Sequence, residues 1–182
     1  MEVNAFKYGM EASGYQQDLY VYSNISNNLN YEVYMIGEYF ESINCTLIAY
    51  DAIVTAITSP GIQPNQSVTS LQIGSIVDER IVLGKGEKTI TSTVLNWGDS
   101  FKKVFNHAMN GTLVGEEFIS GYGTGNVYLA PFSSLVSNPI RQKVIEEEAR
   151  MISAGPLNYI FKGPIYSTDG TLEIPDGVGK KL

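Results

Sequence analysis

The sequence has very little of what most catalytic and metal sites are made of, since it contains one cysteine, Cys45, and one histidine, His107. A single cysteine excludes an intramolecular disulfide, a CxxC redox motif and a cysteine pair for a metal. A Ser-His-Asp triad or a histidine-based metal site would have to use His107, which lies off the apolar stripe of its predicted helix. We therefore expect no metal, no cofactor and no nucleophilic catalysis.

Long apolar runs and basic stripes are also missing. No stretch approaches the roughly 20 apolar residues of a membrane span, and the N-terminus lacks the basic and apolar regions of a secretion signal. The net charge is -7, and the scattered lysine pairs do not form a surface that could hold a phosphate backbone. The sequence thus argues against nucleic acid as a partner and leaves the localisation of this chain unknown.

What is present is an ordinary globular composition, with 43% hydrophobic and 17% charged residues, which argues against disorder. Segments rich in β-branched residues alternate with helical patterns along the chain. Strands are predicted at 18–23, 46–50, 68–76, 89–95 and 126–130, and helices at 30–40, 52–58, 100–110 and 138–154, where the last range includes Asn138 as the cap. This alternation predicts one α/β domain over 1–182, with a mainly parallel sheet flanked by helices.

The helix at 100–110 has the clearest pattern in the chain. Its apolar residues follow the spacing i, i+3, i+4, i+7 and i+8 and are Phe101, Val104, Phe105, Ala108 and Met109. Asp99 is predicted to cap its N-terminus, and Gly111 is predicted to end it. One face of this helix is expected to be buried.

Polar and aromatic side chains follow several of the predicted strands. Asp51, Asp78 and the pair Asn96-Trp97 all stand where ligands bind in open parallel sheets, beyond the carboxyl ends of the strands. Carboxylates accept hydrogen bonds from sugar or base groups, and a tryptophan ring stacks on a planar base. The structural alternatives are a helix cap for Asp51, a turn role for Asp78, and backbone bonding by Asn96 beside a packed Trp97. Phe6 is a weaker aromatic candidate.

Two glycine-rich segments do not match phosphate-binding loops. The glycines at 121–125 precede a predicted strand, whereas a dinucleotide fingerprint follows a strand and opens a helix. The segment 84–89 lacks the glycine spacing of a P-loop. We interpret both segments as connections between strands.

The last part of the chain, 156–182, is predicted to be an extended arm. Gly163-Pro164 and Asp169-Gly170 are turn dipeptides, and Pro164 prevents a helix through its fixed φ and missing N–H. The order of Phe161, the Gly-Pro pair and the Asp-Gly pair resembles the closing segment of the basic membrane protein family. This family comprises PnrA-like and Med-like substrate-binding lipoproteins of ABC transporters.

Other segments are similar, in the same order, to Med-like members of that family. They are Val3 to Phe6 with Gly9, Asp51, Gly74 to Asp78, Thr91-Ser92, Asn96-Trp97-Gly98 and Asn110-Gly111-Thr112. The resemblance implies a type I periplasmic-binding fold, in which two α/β lobes close on a ligand that is usually a purine nucleoside. The family's first lobe and export signal have no counterpart ahead of Met1, so the chain corresponds to the C-terminal portion, one lobe plus crossover segments.

The resemblance implies a non-catalytic substrate-binding component of an ABC transporter, or a truncated remnant of one, with a permease as partner. Its ligand-binding residues would be Phe6, Asp51, Asp78, Asn96 and Trp97. PnrA-like members carry a lysine at the position matched by Asn96, so a nucleobase or another small polar ligand remains open. The family is exported and anchored at the cell surface or in the periplasm.

Two other functions compete with this interpretation. The first alternative is a non-catalytic interaction or regulatory module, which self-associates as a homodimer through the surface left by the missing lobe. The second is an enzyme that uses Asp51 and Asp78 as acid and base, which would require their pKa values to be pushed apart in a closed pocket.

Overall fold

The computed structural model describes residues 9–11, 13–14, 19, 39–40, 42–49, 70–82, 84, 86–115, 121–155, 159–167 and 169–178. Several predicted features lie outside these residues. They are the site residues Phe6 and Asp51, nearly all of the predicted strand at 18–23, most of the predicted helix at 30–40 and all of the predicted helix at 52–58. The chain forms two compact units. One is Asn24–Asn138, and the other combines Met1–Ser23 with Pro139–Leu182.

The unit Asn24–Asn138 contains a four-stranded sheet. Its strands are β1 (Leu47–Ala49), β2 (Leu71–Ile76), β3 (Thr89–Leu95) and β4 (Val127–Leu129), and they lie side by side in that order. The first three strands are parallel, and β4 runs antiparallel to β3. This mainly parallel sheet, with helices in its connections, confirms the predicted α/β fold class.

Strand β3 lies inside the sheet and has the β-branched sequence TITSTVL, which suits a strand covered on both faces. The buried positions of β3 are more polar than expected for a strand inside a sheet, because Thr89, Thr91 and Ser92 are all buried. The Thr91 hydroxyl donates to the carbonyl oxygen of Ala130 at 2.7 Å. Backbone partners of this kind offset the cost of removing a hydroxyl from water.

Two helices follow the central strands. Helix α1 (Glu79–Val82) is a single turn after β2, and helix α2 (Gly98–Met109) follows β3. Helix α2 begins two residues before the predicted start, because the Asn96 side-chain oxygen accepts a hydrogen bond from the Gly98 amide at 3.2 Å. The N-cap is Trp97, which makes no side-chain capping hydrogen bond, and Asp99, the predicted cap, lies within the first turn.

The C-terminus of α2 is closed as predicted by Gly111, which has a φ of 65°. The Gly111 amide donates to the Ala108 carbonyl at 3.2 Å, and the Thr112 amide donates to the His107 carbonyl at 2.9 Å. These two bonds form a Schellman motif, which satisfies carbonyl groups that the helix leaves without partners. The expected burial of one helix face is wrong, however, because no residue of α2 is buried.

The unit with Pro139–Leu182 contains helix α3 (Asn138–Ala154) and a short antiparallel hairpin of β5 (Ile165–Tyr166) and β6 (Leu172–Ile174). Helix α3 ends at Ala154 as predicted and begins at Asn138, the predicted cap, one residue before the predicted first position. The segment predicted as an extended arm folds back on itself through this hairpin, and Phe161 at its beginning is buried.

Candidate functional site at the carboxyl ends of two parallel strands

The carboxyl ends of β2 and β3 meet at one edge of the sheet. The strands are neighbours and parallel, and Ile76, the last residue of β2, pairs with Val94 of β3. Asp78 follows β2 by two residues, and Asn96 follows β3 directly. The fold therefore brings two of the predicted site residues to the same edge.

Asp78 caps helix α1. One oxygen of its carboxylate accepts a hydrogen bond from the Arg80 amide at 3.2 Å, and its carbonyl accepts from the Val82 amide at 2.8 Å. Among the residues that the structure describes, only the Arg80 amide donates to this carboxylate. Asp78 is half-buried rather than enclosed, and the Arg80 amide bonds only one of its two oxygens.

The guanidinium of Arg80 does not pair with Asp78, as its sequence position would allow. It donates to the carbonyl oxygen of Pro131 and lies 3.9 Å from an oxygen of Glu87. The other Glu87 oxygen accepts hydrogen bonds from the amide of Ser134 at 2.8 Å and from its hydroxyl at 3.0 Å. These contacts tie the β2–β3 connection to the segment after β4 and leave the Asp78 carboxylate to its capping role.

The backbone just before Asp78 is strained. Ile76 has a φ of 72°, which places a β-branched residue in the left-handed region. Such a conformation costs about 1–3 kcal/mol and persists only where the surrounding structure enforces it. Strain of this kind is concentrated at ligand-binding and active sites, so the end of β2 is a candidate site on backbone grounds as well.

Asn96 is a positioning residue. Its side-chain oxygen accepts from the Gly98 amide, and its side-chain nitrogen donates to the Gly125 carbonyl at 3.3 Å. Asn126 adds two further hydrogen bonds to this segment. Its side-chain nitrogen donates to the Asn96 carbonyl at 3.1 Å and to the Ser100 hydroxyl at 2.7 Å. The amide of Asn96 thus joins the start of α2 to the glycine-rich turn, which lies before β4 as the sequence indicates.

Trp97 is exposed, and 59% of its surface is open to solvent. The structural alternative of a packed Trp97, which the sequence left open, is therefore wrong. The other part of that alternative, bonding of the Asn96 side chain to the backbone, is observed. The only close aromatic neighbour among the described residues is Phe101, with ring centroids 6.5 Å apart and planes tilted by 40°. The tilt leaves Trp97 with surface on which a planar group can stack.

Glu79 is the residue that the sequence did not single out. It is fully buried at the start of α1, and its amide donates to the Ser92 hydroxyl at 3.3 Å. A Cβ added at Gly74 would lie 2.7 Å from the Glu79 carboxyl carbon and 2.5 Å from the Ser92 oxygen. The signal in the sequence is the glycine inside β2, because an interior glycine in a strand indicates a close approach by another group.

Two of the five predicted site residues, Phe6 and Asp51, lie outside the described residues. Within the described part of the chain, no group of three or more histidine, cysteine, aspartate or glutamate side chains could hold a metal ion. The helices of that part are all too short or too polar to cross a membrane.

The class that these features define is an α/β protein with polar and aromatic side chains at the carboxyl edge of a mainly parallel sheet. No protein-family model matches the chain, and no curated protein matches it. Among solved structures, it is similar to the crystal structure of a transcriptional activator of the comK gene from Bacillus halodurans. The TM-score is 0.57 and the sequence identity is 20%.

That match covers 69% of this chain and 43% of the Bacillus halodurans chain, so this chain spans less than half the length of the protein it matches. At this identity the likeness shows a shared fold.

Proposed function

We propose that this protein binds a small polar ligand with a planar group, and does so without transforming it. The observation that carries the proposal is that Asp78 and the pair Asn96-Trp97 follow two adjacent parallel strands at the same edge of the sheet. This edge is where open α/β sheets bind their ligands. A carboxylate oxygen and a half-open aromatic face suit a ligand that has both N–H groups and a π-surface.

A purine base or nucleoside is the ligand class that fits this pair best. A purine has a flat face that can stack on Trp97 and edge N–H groups that the Asp78 oxygen can accept. The resemblance to substrate-binding lipoproteins points to the same ligand class and to a role as the binding component of an ABC transporter. Asn96 is already bonded at both ends of its amide, to the Gly98 amide and the Gly125 carbonyl, so it positions the start of α2 rather than reading the base.

The test uses the fact that Trp97 is the only tryptophan in the chain. Fluorescence excited beyond the absorption band of tyrosine therefore reports on the proposed site alone, and calorimetry against adenine, guanine, hypoxanthine and their nucleosides gives the affinity. We expect quenching together with measurable heat for at least one compound. The absence of both signals across the panel at millimolar ligand would refute the proposal.

Two variants separate specific binding from unspecific association. Asp78→Asn keeps a capping oxygen for helix α1 but removes the charge, and we expect a loss of affinity of about 10- to 100-fold, since hydrogen bonds to charged groups contribute about 1.5–3 kcal/mol. Trp97→Ala should cost about tenfold through lost stacking. Asp176→Asn, an exposed acid in the other unit, is the control and should leave the affinity unchanged.

The second candidate function, a non-catalytic interaction module, is favoured by one observation, the exposed apolar face of α2. If the protein self-associates and none of the purine compounds binds, this function replaces the first. An enzymatic role would require turnover of a bound ligand by the parent protein, and Asp78→Asn would abolish that turnover.

A further inference from the structure

Four large apolar side chains form a ridge on the exposed surface of helix α2 and its N-terminal neighbour. They are spaced four residues apart, and their exposed fractions are 59% for Trp97, 69% for Phe101, 64% for Phe105 and 70% for Met109. We refer to these four residues as the α2 ridge. Positions i, i+4, i+8 and i+12 follow one row along a helix, so the ridge is continuous.

The α2 ridge is large enough to form the centre of an interface. Aromatic side chains bury about 150–250 Å² each in cores and interfaces, so the exposed parts of its three aromatic rings present about 350–400 Å². Met109 adds to this area, and the exposed Leu113 and Val114 continue it beyond the helix. A standard interface buries about 800 Å² per partner, of which roughly 60% is apolar, so the ridge supplies most of the apolar area required.

The geometry of the ridge favours a second copy of this chain as the occupant. A ridge of residues four apart packs into the corresponding groove of another helix at a crossing angle of about -50°. If two copies pair antiparallel about the middle of the ridge, Phe101 lies against the partner's Phe105 and Trp97 lies against the partner's Met109. Both contacts are favourable, because aromatic pairs and sulfur–aromatic pairs attract each other.

The dipole of the helix agrees with an antiparallel arrangement. In an antiparallel pair, the positive end of each helix dipole lies beside the negative end of the other. None of the four ridge residues carries a charge, so no unpaired charge is buried by the contact.

We propose that the protein forms a two-fold symmetric homodimer through the α2 ridge, with the two α2 helices antiparallel. The dimer covers the apolar face that the single chain leaves in contact with water. The proposal does not rest on the proposed function, although the two surfaces share Trp97, because Phe101, Phe105 and Met109 follow the strand ends rather than forming part of the carboxyl edge of the sheet.

The first experiment measures mass in solution by sedimentation velocity and light scattering at micromolar concentration. The parent protein should have twice the mass of one chain, and Phe105→Lys and Phe101→Lys should each shift it to a monomer with an unchanged circular dichroism spectrum. Ile81→Lys, an equally exposed apolar position on α1, is the matched control and should remain dimeric. A monomeric parent, or a Phe105→Lys protein that stays dimeric, overturns the proposal.

A second experiment tests the orientation. In a Cys45→Ser background, chains that carry Phe101→Cys are mixed with chains that carry Phe105→Cys and oxidised. The antiparallel pairing predicts a disulfide between the two different chains at a rate at least tenfold above that of either chain with itself. Faster linkage of Phe101→Cys to its own copy would indicate parallel helices and would overturn the proposed geometry. Calorimetry on Phe105→Lys then shows whether ligand binding survives without the dimer.

Discussion

Replacement of Gly74 by alanine tests whether the buried Glu79 carboxyl leaves room only for glycine at this position of β2. The added Cβ would lie 2.5 Å from the Ser92 oxygen, and 2.7 Å and 2.9 Å from the last two carbons of the Glu79 side chain before its oxygens. Ordinary contacts between such atoms are about 3.5–4.0 Å. Because Glu79 and Ser92 are both fully buried, neither has solvent into which it can move.

We expect Gly74→Ala to lower the free energy of unfolding by about 1–3 kcal/mol, the usual cost of overpacking a core. The sign of this change in the free energy of unfolding distinguishes a clash from an ordinary glycine-to-alanine replacement. Without the clash, replacing an interior glycine by alanine would raise stability by roughly 0.5–1 kcal/mol, because the unfolded chain loses freedom. Urea unfolding followed by circular dichroism measures the difference, and a variant as stable as the parent, or more stable, would refute the reasoning.

Two controls identify the cause. Gly86→Ala adds the same atom where nothing lies within 4 Å, so it should change stability by less than about 0.5 kcal/mol. In a double-mutant cycle, Glu79→Ala should reduce the cost of Gly74→Ala by about 1 kcal/mol or more, since the new side chain fits into the vacated space. If the two changes are additive, the contact with Glu79 is not the source of the instability.

Three further changes have defined outcomes. Ile76→Gly should cost at least 1 kcal/mol less stability than Ile73→Gly, measured by urea unfolding, because only the first releases the left-handed φ of 72°. Gly163→Ala should open the C-terminal hairpin to limited proteolysis, since its Cβ would clash with the backbone carbonyl oxygen of Pro175. Hydrogen bonds from the Ser167 hydroxyl and the Thr171 amide lower the pKa of Asp169 from 3.8 to about 2. That contribution to stability is present above pH 4 and is lost as the pH falls through 2, and Ser167→Ala should raise the pKa in a carboxyl NMR titration.

The sequence predicted the four strands of the sheet and the helices α2 and α3, but not the single turn α1. The bounds of β3 agree with the prediction residue for residue, because β-branched residues fill this strand, whereas α3 begins at the predicted cap, Asn138, one residue before its predicted first position. The start of α2 was missed, since Asn96 lies outside the helical pattern and its side-chain oxygen accepts from the first helical amide, Gly98, across the intervening Trp97. The direction of β4 could not be predicted from the sequence either, because the residue pattern of a three-residue strand is the same for a parallel and an antiparallel neighbour.

The candidate site was predictable only in part. Strand ends and residue types were enough to select Asp78, Asn96 and Trp97, and parallel pairing of β2 with β3 brings the first two to one edge. Glu79 was not selected, because a glutamate beside an arginine normally lies on the surface and only the close approach to Gly74 reveals its burial. The exposed face of α2 contradicts the expected burial, since an apolar stripe predicts burial without saying which surface covers it.

Trp97 links the two proposals, because it belongs both to the carboxyl edge of the sheet and to the α2 ridge. If the partner's Met109 packs on the tryptophan face that a purine needs, dimerisation and ligand binding compete for that face. By thermodynamic linkage, the factor by which the ligand weakens the dimer must equal the factor by which dimerisation weakens ligand binding. We therefore expect Phe105→Lys, as a monomer, to bind the ligand more tightly than the parent at high protein concentration, and equally at concentrations where the parent dissociates. Equal affinity at all concentrations would mean that the two surfaces use different faces of Trp97, and that the partner leaves the ligand's face open.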